Sequence, residues 1–107
     1  MRLLFICSQN RLRSPTAEKV FEGSPGLEVK SAGTESSAVT VLTTEHLAWA
    51  DVVVVMEKSH RNKIFKHFRE PLIGKRVVVL GIPDDYEYMQ PELIDLLKTL
   101  VPQLVGF

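Results

Sequence analysis

The sequence predicts an α/β fold built on a parallel sheet, and three observations support this class. Short apolar segments alternate along the 107 residues with segments whose apolar residues recur at helical spacing. The segment 52–56 is apolar at every position, as a parallel strand covered on both faces requires. No repeat, linker or low-complexity tract interrupts the alternation. We therefore expect a single domain over residues 1–107, with right-handed crossovers between parallel strands.

The first strand and the first helix enclose a short polar loop. The strand is predicted over residues 2–7, and the helix over residues 14–23. Ser14 can cap this helix, Pro15 suits its first position, and Gly23 ends it. Its expected inner face consists of three apolar residues, which are Ala17, Val20 and Phe21.

The later elements repeat the same order of strand and helix. Further strands are predicted over 27–32, 52–56 and 76–80, and further helices over 43–50 and 58–69. The helix over 58–69 is basic, and its expected inner residues are Ile64, Phe65 and Phe68. Pro91 is expected to open a last helix with an apolar stripe, and Pro102 to stop it.

Composition narrows the class of protein. The net charge is zero, with 45% hydrophobic and 24% charged residues, which is typical of a globular domain and gives no sign of a nucleic-acid partner. A single cysteine excludes an internal disulfide, and no apolar stretch approaches the roughly 18 residues of a membrane span. We expect a cytoplasmic protein without a membrane partner, a metal site or another cofactor.

Charge is nonetheless segregated along the chain. Residues 57–76 hold seven Lys/Arg against two Glu, a net charge of +5, whereas residues 77–107 hold one Lys against five Asp/Glu, a net charge of −4. We interpret the basic segment as a solvated helix face, with a docking surface for an anionic partner as the alternative.

The most informative pair of residues is Cys7 and Arg13, which the polar loop separates by five positions. A loop between a strand and a helix can point successive backbone N–H groups at one spot, beside a helix end that favours negative charge. Such a setting favours a thiolate, and the planar fork of an arginine matches two oxygens of a tetrahedral oxyanion. The pattern predicts a site that cleaves phosphate esters.

A carboxyl group is expected at the same place. Cys7 ends the first strand, Met56 the third, and Asp84 follows the fourth. In open parallel sheets, ligands bind beyond the carboxyl ends of the strands. The sequence therefore brings a thiol, a guanidinium and a carboxyl group to one edge.

The segment Cys-x-x-Asn-x-x-Arg-Ser-Pro-x-Ala-Glu at residues 7–18 resembles the phosphate loop of the low-molecular-weight protein tyrosine phosphatases. Three further segments are similar to motifs of that family and occur in the same order: Ser-Ala-Gly-Thr at 31–34, an Asp, apolar run, Met and later His at 51–60, and Pro-Asp-Asp-Tyr at 83–86. The resemblance implies a three-layer fold, with four parallel strands in the order 2-1-3-4 and helices on both faces.

The resemblance also implies a reaction. The Cys7 thiolate would attack phosphorus and form a phosphocysteine, Arg13 would hold the phosphate oxygens, and Asp84 would act as general acid and then as general base. Ser14 would support the thiolate, and Asn10 would pin the loop. The expected phosphate-binding residues are those of the loop and the helix start: Ser8, Gln9, Asn10, Arg11, Leu12, Arg13 and Ser14. The implied substrate is a phosphotyrosine protein or a small aryl phosphate, with inorganic phosphate as a product.

The chain departs from the family at several points. It is shorter, mainly between residues 34 and 51, where the family has an extra helix. Gln9 stands where glycine is usual, and Leu12 where a cysteine is common. Asp85 replaces the proline of the family's Asp-Pro-Tyr, so either Asp84 or Asp85 could be the acid.

Several residues keep two interpretations. Tyr86 and Tyr88 are candidates for an aromatic pocket wall, and Trp49 for either core or wall. His60 is interpreted as a packing or helix-face residue without a catalytic role. Arg11 could raise the positive potential at the site or be a solvated surface residue.

Two other functions compete with a phosphatase. One is a module that only binds phosphate or phosphotyrosine. The other is a thiol phosphocarrier or arsenate reductase, but thioredoxin-coupled arsenate reduction needs further cysteines, and a phosphocarrier has no use for Arg13 or a distant aspartate.

Overall fold

The structure is built on one sheet of four parallel strands. In the computed structural model, which describes all 107 residues, the strands are β1 (Arg2–Cys7), β2 (Glu28–Gly33), β3 (Val52–Val55) and β4 (Arg76–Val79). Their order in the sheet is β2-β1-β3-β4. The register pairs Ile6 with Ala32 on one side and with Val55 on the other. The predicted sheet and its strand order are confirmed.

Five α-helices cover the two faces of the sheet. They are α1 (Arg13–Phe21), α2 (Thr44–Trp49), α3 (Lys58–His67), α4 (Arg69–Leu72) and α5 (Pro91–Val101). Buried residues of α1 and α5 pack on one face, and buried residues of α2, α3 and α4 pack on the other. The predicted three-layer α/β architecture is therefore confirmed. None of these helices combines the length and the apolarity needed to cross a lipid bilayer.

The two central strands supply both cores. Successive side chains of a strand point to opposite faces, so Leu3 and Phe5 enter the core under α1 and α5, while Leu4 and Ile6 enter the other core. All four of these side chains are fully buried. Burial of each stabilises the fold by about 1.5–3 kcal/mol, which explains why β1 is apolar at consecutive positions.

The start of α1 differs from the prediction. The helix begins at Arg13, one residue early, and Leu12 precedes it without a side-chain capping bond. Ser14 therefore lies inside the first turn and does not cap. Its hydroxyl is used by the cysteine instead, at 2.9 Å from Cys7 Sγ.

The predicted helix over 58–69 is wrong at its end and on one face. Pro71 has no N–H for a bond to the carbonyl of His67, so α3 ends there and α4 forms a separate turn. Phe65, predicted as an inner residue, is 44% exposed. The stripe that faces the sheet consists of His60 and Ile64, four residues apart, and Phe65 lies one position off it.

Pro102 does not stop the last helix as predicted. It has helical dihedral angles, and the chain continues through one π-helical turn over Pro102–Gly106. Its missing N–H removes only one hydrogen bond. The bond from the Phe107 N–H to the Pro102 carbonyl (3.1 Å) closes this wider turn and buries Val105.

Gly33 lies against the loop that follows β1. A Cβ atom at this position would be 2.5 Å from the Ser8 carbonyl oxygen and 2.5 Å from the Ala38 Cβ. Real Cβ atoms do not approach other heavy atoms this closely, so the loop and β2 fit together only because residue 33 has no side chain.

We therefore expect Gly33→Ala to displace the loop after β1 and to lower the free energy of unfolding by about 1–3 kcal/mol, the usual cost of overpacking. Urea denaturation measures the loss, and the rate of Cys7 alkylation by iodoacetate reports the loop. Gly26→Ala is the control, because its Cβ would meet nothing within 4 Å. It should lower stability through its positive φ alone and leave alkylation unchanged. Equal alkylation rates in both variants would contradict the prediction.

Candidate active site

The loop of residues 8–12 forms a cup over the carboxyl end of β1. Cys7 ends the strand with only 3% of its surface exposed, and Arg13 begins α1 on the other side of the loop. Asn10, at the middle of the loop, has a φ of 54°. Asparagine tolerates this left-handed conformation better than most residues. The cup encloses a cavity of about 170 Å³ lined by Cys7, Ser8, Gln9, Arg11, Leu12, Arg13 and Asp84.

Two side chains form a hydrogen-bonded chain that ends at the sulfur. Asn10 Nδ2 donates to Ser14 Oγ (2.8 Å), and Ser14 Oγ lies 2.9 Å from Cys7 Sγ. Because the Ser14 oxygen already accepts from Asn10, its own proton is available to the sulfur. A hydroxyl that donates to the sulfur stabilises a thiolate more than a thiol.

The Asn10 amide is itself held on every side. Its second Nδ2 proton goes to Ser31 Oγ (2.9 Å), and its Oδ1 accepts from the Thr40 N–H (3.2 Å). Ser31 in turn donates to the Glu18 carboxylate. Ser31 and Glu18 were not predicted as site residues, although both lie in the motifs that resemble the phosphatase family.

Arg13 is buried and oriented by two acceptors. Its Nη1 donates to Glu57 Oε2 (2.6 Å) and to the Ile82 carbonyl (2.8 Å), which uses both Nη1 protons. The Nε and Nη2 donors remain for a ligand in the cavity. Glu57 was not predicted as a partner; it follows β3 at the same sheet edge, and that position was the available signal.

The structure separates the two candidate acids. Asp84 lines the cavity, and its Oδ1 lies 3.7 Å from Arg13 Nε. Asp85 is exposed and does not line the cavity. Of the two, only Asp84 would face a ligand in the cavity, and its role as general acid stays a prediction.

No aromatic side chain lines the cavity. Tyr86 packs against the core under α1 and α5, and Tyr88 is half exposed. Trp49 packs at the margin of the other core, with the Lys30 ammonium 4.5 Å from its ring centre. Neither tyrosine forms the expected wall, because the chain after Pro83 presents Asp84 to the cavity and turns Tyr86 to the core. Arg11 does line the cavity, as one of the two interpretations expected.

His60 takes part in the site, contrary to its interpretation from the sequence. It is 2% exposed, its Nδ1 accepts from the Glu57 N–H (3.0 Å), and its Nε2 lies 2.9 Å from Ser8 Oγ. Burial, and then the positive charge of Arg13, lower the pKa of His60 to about 4, so the ring is neutral at pH 7. A signal was present: His60 lies three residues after Glu57 at a helix start, where a side chain can bond back.

No group of three His, Cys, Asp or Glu side chains converges to hold a metal ion. The site thus offers a thiol, a guanidinium fork and a carboxyl group on one cavity. Fold and site together define an α/β protein with a Cys-x5-Arg oxyanion loop.

Comparisons with known proteins agree with this class. No family model matches the chain. A protein-arginine-phosphatase of Geobacillus stearothermophilus is 34% identical over a matched segment that covers 64% of this chain and 63% of that relative's length. A solved structure of the YwlE arginine phosphatase from the same organism matches with a TM-score of 0.75 and 26% identity, over 95% of this chain and 91% of that one.

Two further structures share the fold at lower identity. One is a low-molecular-weight protein tyrosine phosphatase from T. tengcongensis, with a TM-score of 0.73 and 24% identity over 97% of this chain and 99% of that one. The other is the tyrosine phosphatase Wzb from Escherichia coli K30, with a TM-score of 0.76 and 24% identity over 95% and 94%. The predicted resemblance is confirmed: this chain is similar in sequence to a protein-arginine-phosphatase and shares its fold with low-molecular-weight protein tyrosine phosphatases.

We expect the buried His60 to make the fold acid-sensitive. Its folded pKa of about 4 lies below the value of about 6.5 for an unfolded chain. As the pH falls from about 6.5 to about 4, this histidine becomes protonated in the unfolded chain but stays neutral in the folded one. The free energy of unfolding therefore decreases in that pH range. Urea denaturation at pH 7 and pH 4.5 should show a smaller loss for His60→Gln than for the wild type. Equal losses would contradict the assignment.

We expect Ser14→Ala to slow alkylation of Cys7 by iodoacetate about tenfold at pH 6, where an ordinary thiol is almost fully protonated. The reason is the loss of a hydrogen bond to a charged sulfur. Ser36→Ala, an exposed serine outside this cavity, is the control and should react like the wild type. An unchanged rate in Ser14→Ala would show that Ser14 does not support the thiolate.

Proposed function

We propose that this chain is a cysteine-dependent phosphatase that hydrolyses phosphate monoesters through a phosphocysteine, without a metal ion or another cofactor. One observation carries the proposal: Cys7, Arg13 and Asp84 line the same small cavity, with the Ser14 hydroxyl 2.9 Å from the sulfur. The similarity to named phosphatases supports the same activity, although the matched segment spans only 63% of the curated relative.

In the first step, the Cys7 thiolate attacks phosphorus in line with the ester oxygen. A sulfur–phosphorus bond forms, the phosphorus–oxygen bond breaks, and Asp84 gives its proton to the leaving oxygen. The N–H groups of the loop and the Nε and Nη2 donors of Arg13 hold the other oxygens. These donors stabilise the transition state because they are already oriented before charge builds up.

In the second step, water attacks the phosphocysteine. Asp84, now a carboxylate, accepts a proton from that water as the oxygen–phosphorus bond forms. The sulfur leaves as a thiolate, and inorganic phosphate is released. The Ser14 hydroxyl favours this step too, because it stabilises the departing sulfur.

The first candidate substrate is phosphotyrosine in a protein, or a small aryl phosphate. A phenolate leaves readily once Asp84 protonates it, which suits a thiolate nucleophile. The second candidate is phosphoarginine, a phosphoramidate. Its phosphorus–nitrogen bond would break in place of the ester bond, and Asp84 would protonate the leaving nitrogen. Two reasons favour it: a protein-arginine-phosphatase is 34% identical to this chain, and no aromatic side chain lines the cavity to enclose a phenyl ring.

We expect para-nitrophenyl phosphate to be hydrolysed in the presence of EDTA, and Cys7→Ser to abolish turnover. Asp84→Asn should lower kcat about 10²–10⁴-fold, the usual contribution of a general acid–base. Asp85→Asn is the matched control and should keep most of the activity, because Asp85 is off the cavity. If Asp85→Asn loses the activity and Asp84→Asn keeps it, the acid is assigned to the wrong residue.

Peptides that differ only in phosphotyrosine or phosphoarginine distinguish the two substrates by kcat/KM. A higher value for phosphotyrosine supports the first candidate, and a higher value for phosphoarginine the second. If the wild type hydrolyses neither peptide nor the aryl phosphate but binds phosphate, the chain is a phosphate-binding module and the catalytic proposal is wrong.

A further inference from the structure

We propose that the Ser8 hydroxyl donates a hydrogen bond to the bound oxyanion, and that His60 is the positioning residue that frees this hydroxyl to do so. The inference deepens the proposed function, since the oxyanion is the phosphoryl group of its substrate. It adds a side-chain donor to a loop that otherwise binds through backbone N–H groups and Arg13. It also gives a role to a buried histidine that the proposed mechanism does not use.

The two neighbours of His60 fix the position of its proton. Nδ1 lies 3.0 Å from the Glu57 backbone nitrogen, and a backbone N–H can only donate, so Nδ1 must be the acceptor. A neutral imidazole carries one proton, which must then be on Nε2. Nε2 lies 2.9 Å from Ser8 Oγ. His60 therefore donates to Ser8, and the reverse direction is excluded.

The consequence falls on the Ser8 hydroxyl. Its oxygen accepts from His60, and its own proton has no acceptor within the protein. Ser8 lines the cavity next to Cys7, so an oxyanion there is the acceptor within reach. With the other tautomer of His60, the Ser8 hydroxyl would donate its hydrogen bond to Nε2 and would present only lone pairs to the oxyanion.

The protein holds His60 in this state from two sides. Its ring is almost fully buried and lies near the charge of Arg13, and both conditions oppose a second proton. Its bond to the Glu57 N–H fixes the ring at the first turn of α3, which follows the strand next to β1. The start of α3 thus sets the direction of a hydrogen bond inside the loop after β1.

Calorimetric titration with inorganic phosphate at pH 7 tests the pair. Ser8→Ala should weaken binding about tenfold, as expected for one hydrogen bond to a charged oxygen, and Ser8→Thr should stay close to the wild type. His60→Ala should weaken binding to a similar extent. In the Ser8→Ala background, His60→Ala should add less than about a twofold change, because His60 acts through Ser8.

His60→Gln should restore most of the affinity, because glutamine offers an acceptor for the Glu57 N–H and a donor for Ser8. His67→Ala, an exposed histidine on the same helix, and Ser36→Ala are the controls and should bind like the wild type. Nitrogen-15 NMR of the imidazoles gives a readout that a structural role alone would not move. We expect the His60 proton on Nε2 at pH 7.

Three results would overturn the inference: a proton on Nδ1, wild-type phosphate affinity in Ser8→Ala, or equal effects of His60→Ala with and without Ser8. Thermal unfolding of each variant identifies any that fails to fold. If a His60 variant does not fold, the phosphate affinities of the Ser8 variants and the NMR assignment of the His60 proton still test the inference. Because these measurements report binding, they are independent of turnover. If the wild type binds phosphate through Ser8 but hydrolyses no substrate, the proposed function is wrong and this inference is still supported.

Discussion

The site depends on the hydrogen bonds that keep Asn10 in its left-handed conformation. A non-glycine residue with a φ of 54° costs roughly 1–3 kcal/mol and persists only where its surroundings hold it there. Asn10 is held by three side-chain bonds, to Ser14, to Ser31 and from the Thr40 N–H. The same bonds shape the loop into a cup and leave the Ser14 proton to the sulfur. One strained residue therefore links the shape of the loop to the reactivity of Cys7.

A second constraint is the buried charge of Arg13. A guanidinium with 3% exposure needs hydrogen-bond partners, and Glu57 and the Ile82 carbonyl provide two of them, to Nη1, from the loops after β3 and β4. The parallel sheet brings both loops to the edge where Cys7 ends β1. The rest of the guanidinium is thereby presented to the cavity, with Asp84 beside it.

Much of this arrangement follows from the sequence. The apolar run of β3 and the alternation of elements predicted the parallel sheet, and the spacing of Cys7 and Arg13 predicted the loop. Ligands of open parallel sheets bind beyond the carboxyl ends of the strands, and this rule placed Asp84 near Cys7 and Arg13. These features rest on local patterns and on general rules of topology, which a single sequence carries.

The parts that the sequence did not provide depend on tertiary contacts. The burial of His60 and its bond to Ser8 arise where α3 packs against the loop after β1, and no periodicity marks that contact. Phe65 was misplaced because Ile64 and Phe65 are adjacent apolar residues, and the sequence alone does not show which of them faces the sheet. The tyrosines after Asp85 were expected at the pocket, but contacts with the core decide the direction of Tyr86.

In the proposed reaction, the sulfur of Cys7 takes up the phosphoryl group. The most direct measurement is mass spectrometry of the intact chain after rapid acid quench of turnover with para-nitrophenyl phosphate, followed by peptide mapping. We expect one added phosphoryl group, on Cys7, at times when nitrophenol has been released. Turnover with an unmodified Cys7, or a phosphoryl group on another residue, would contradict it.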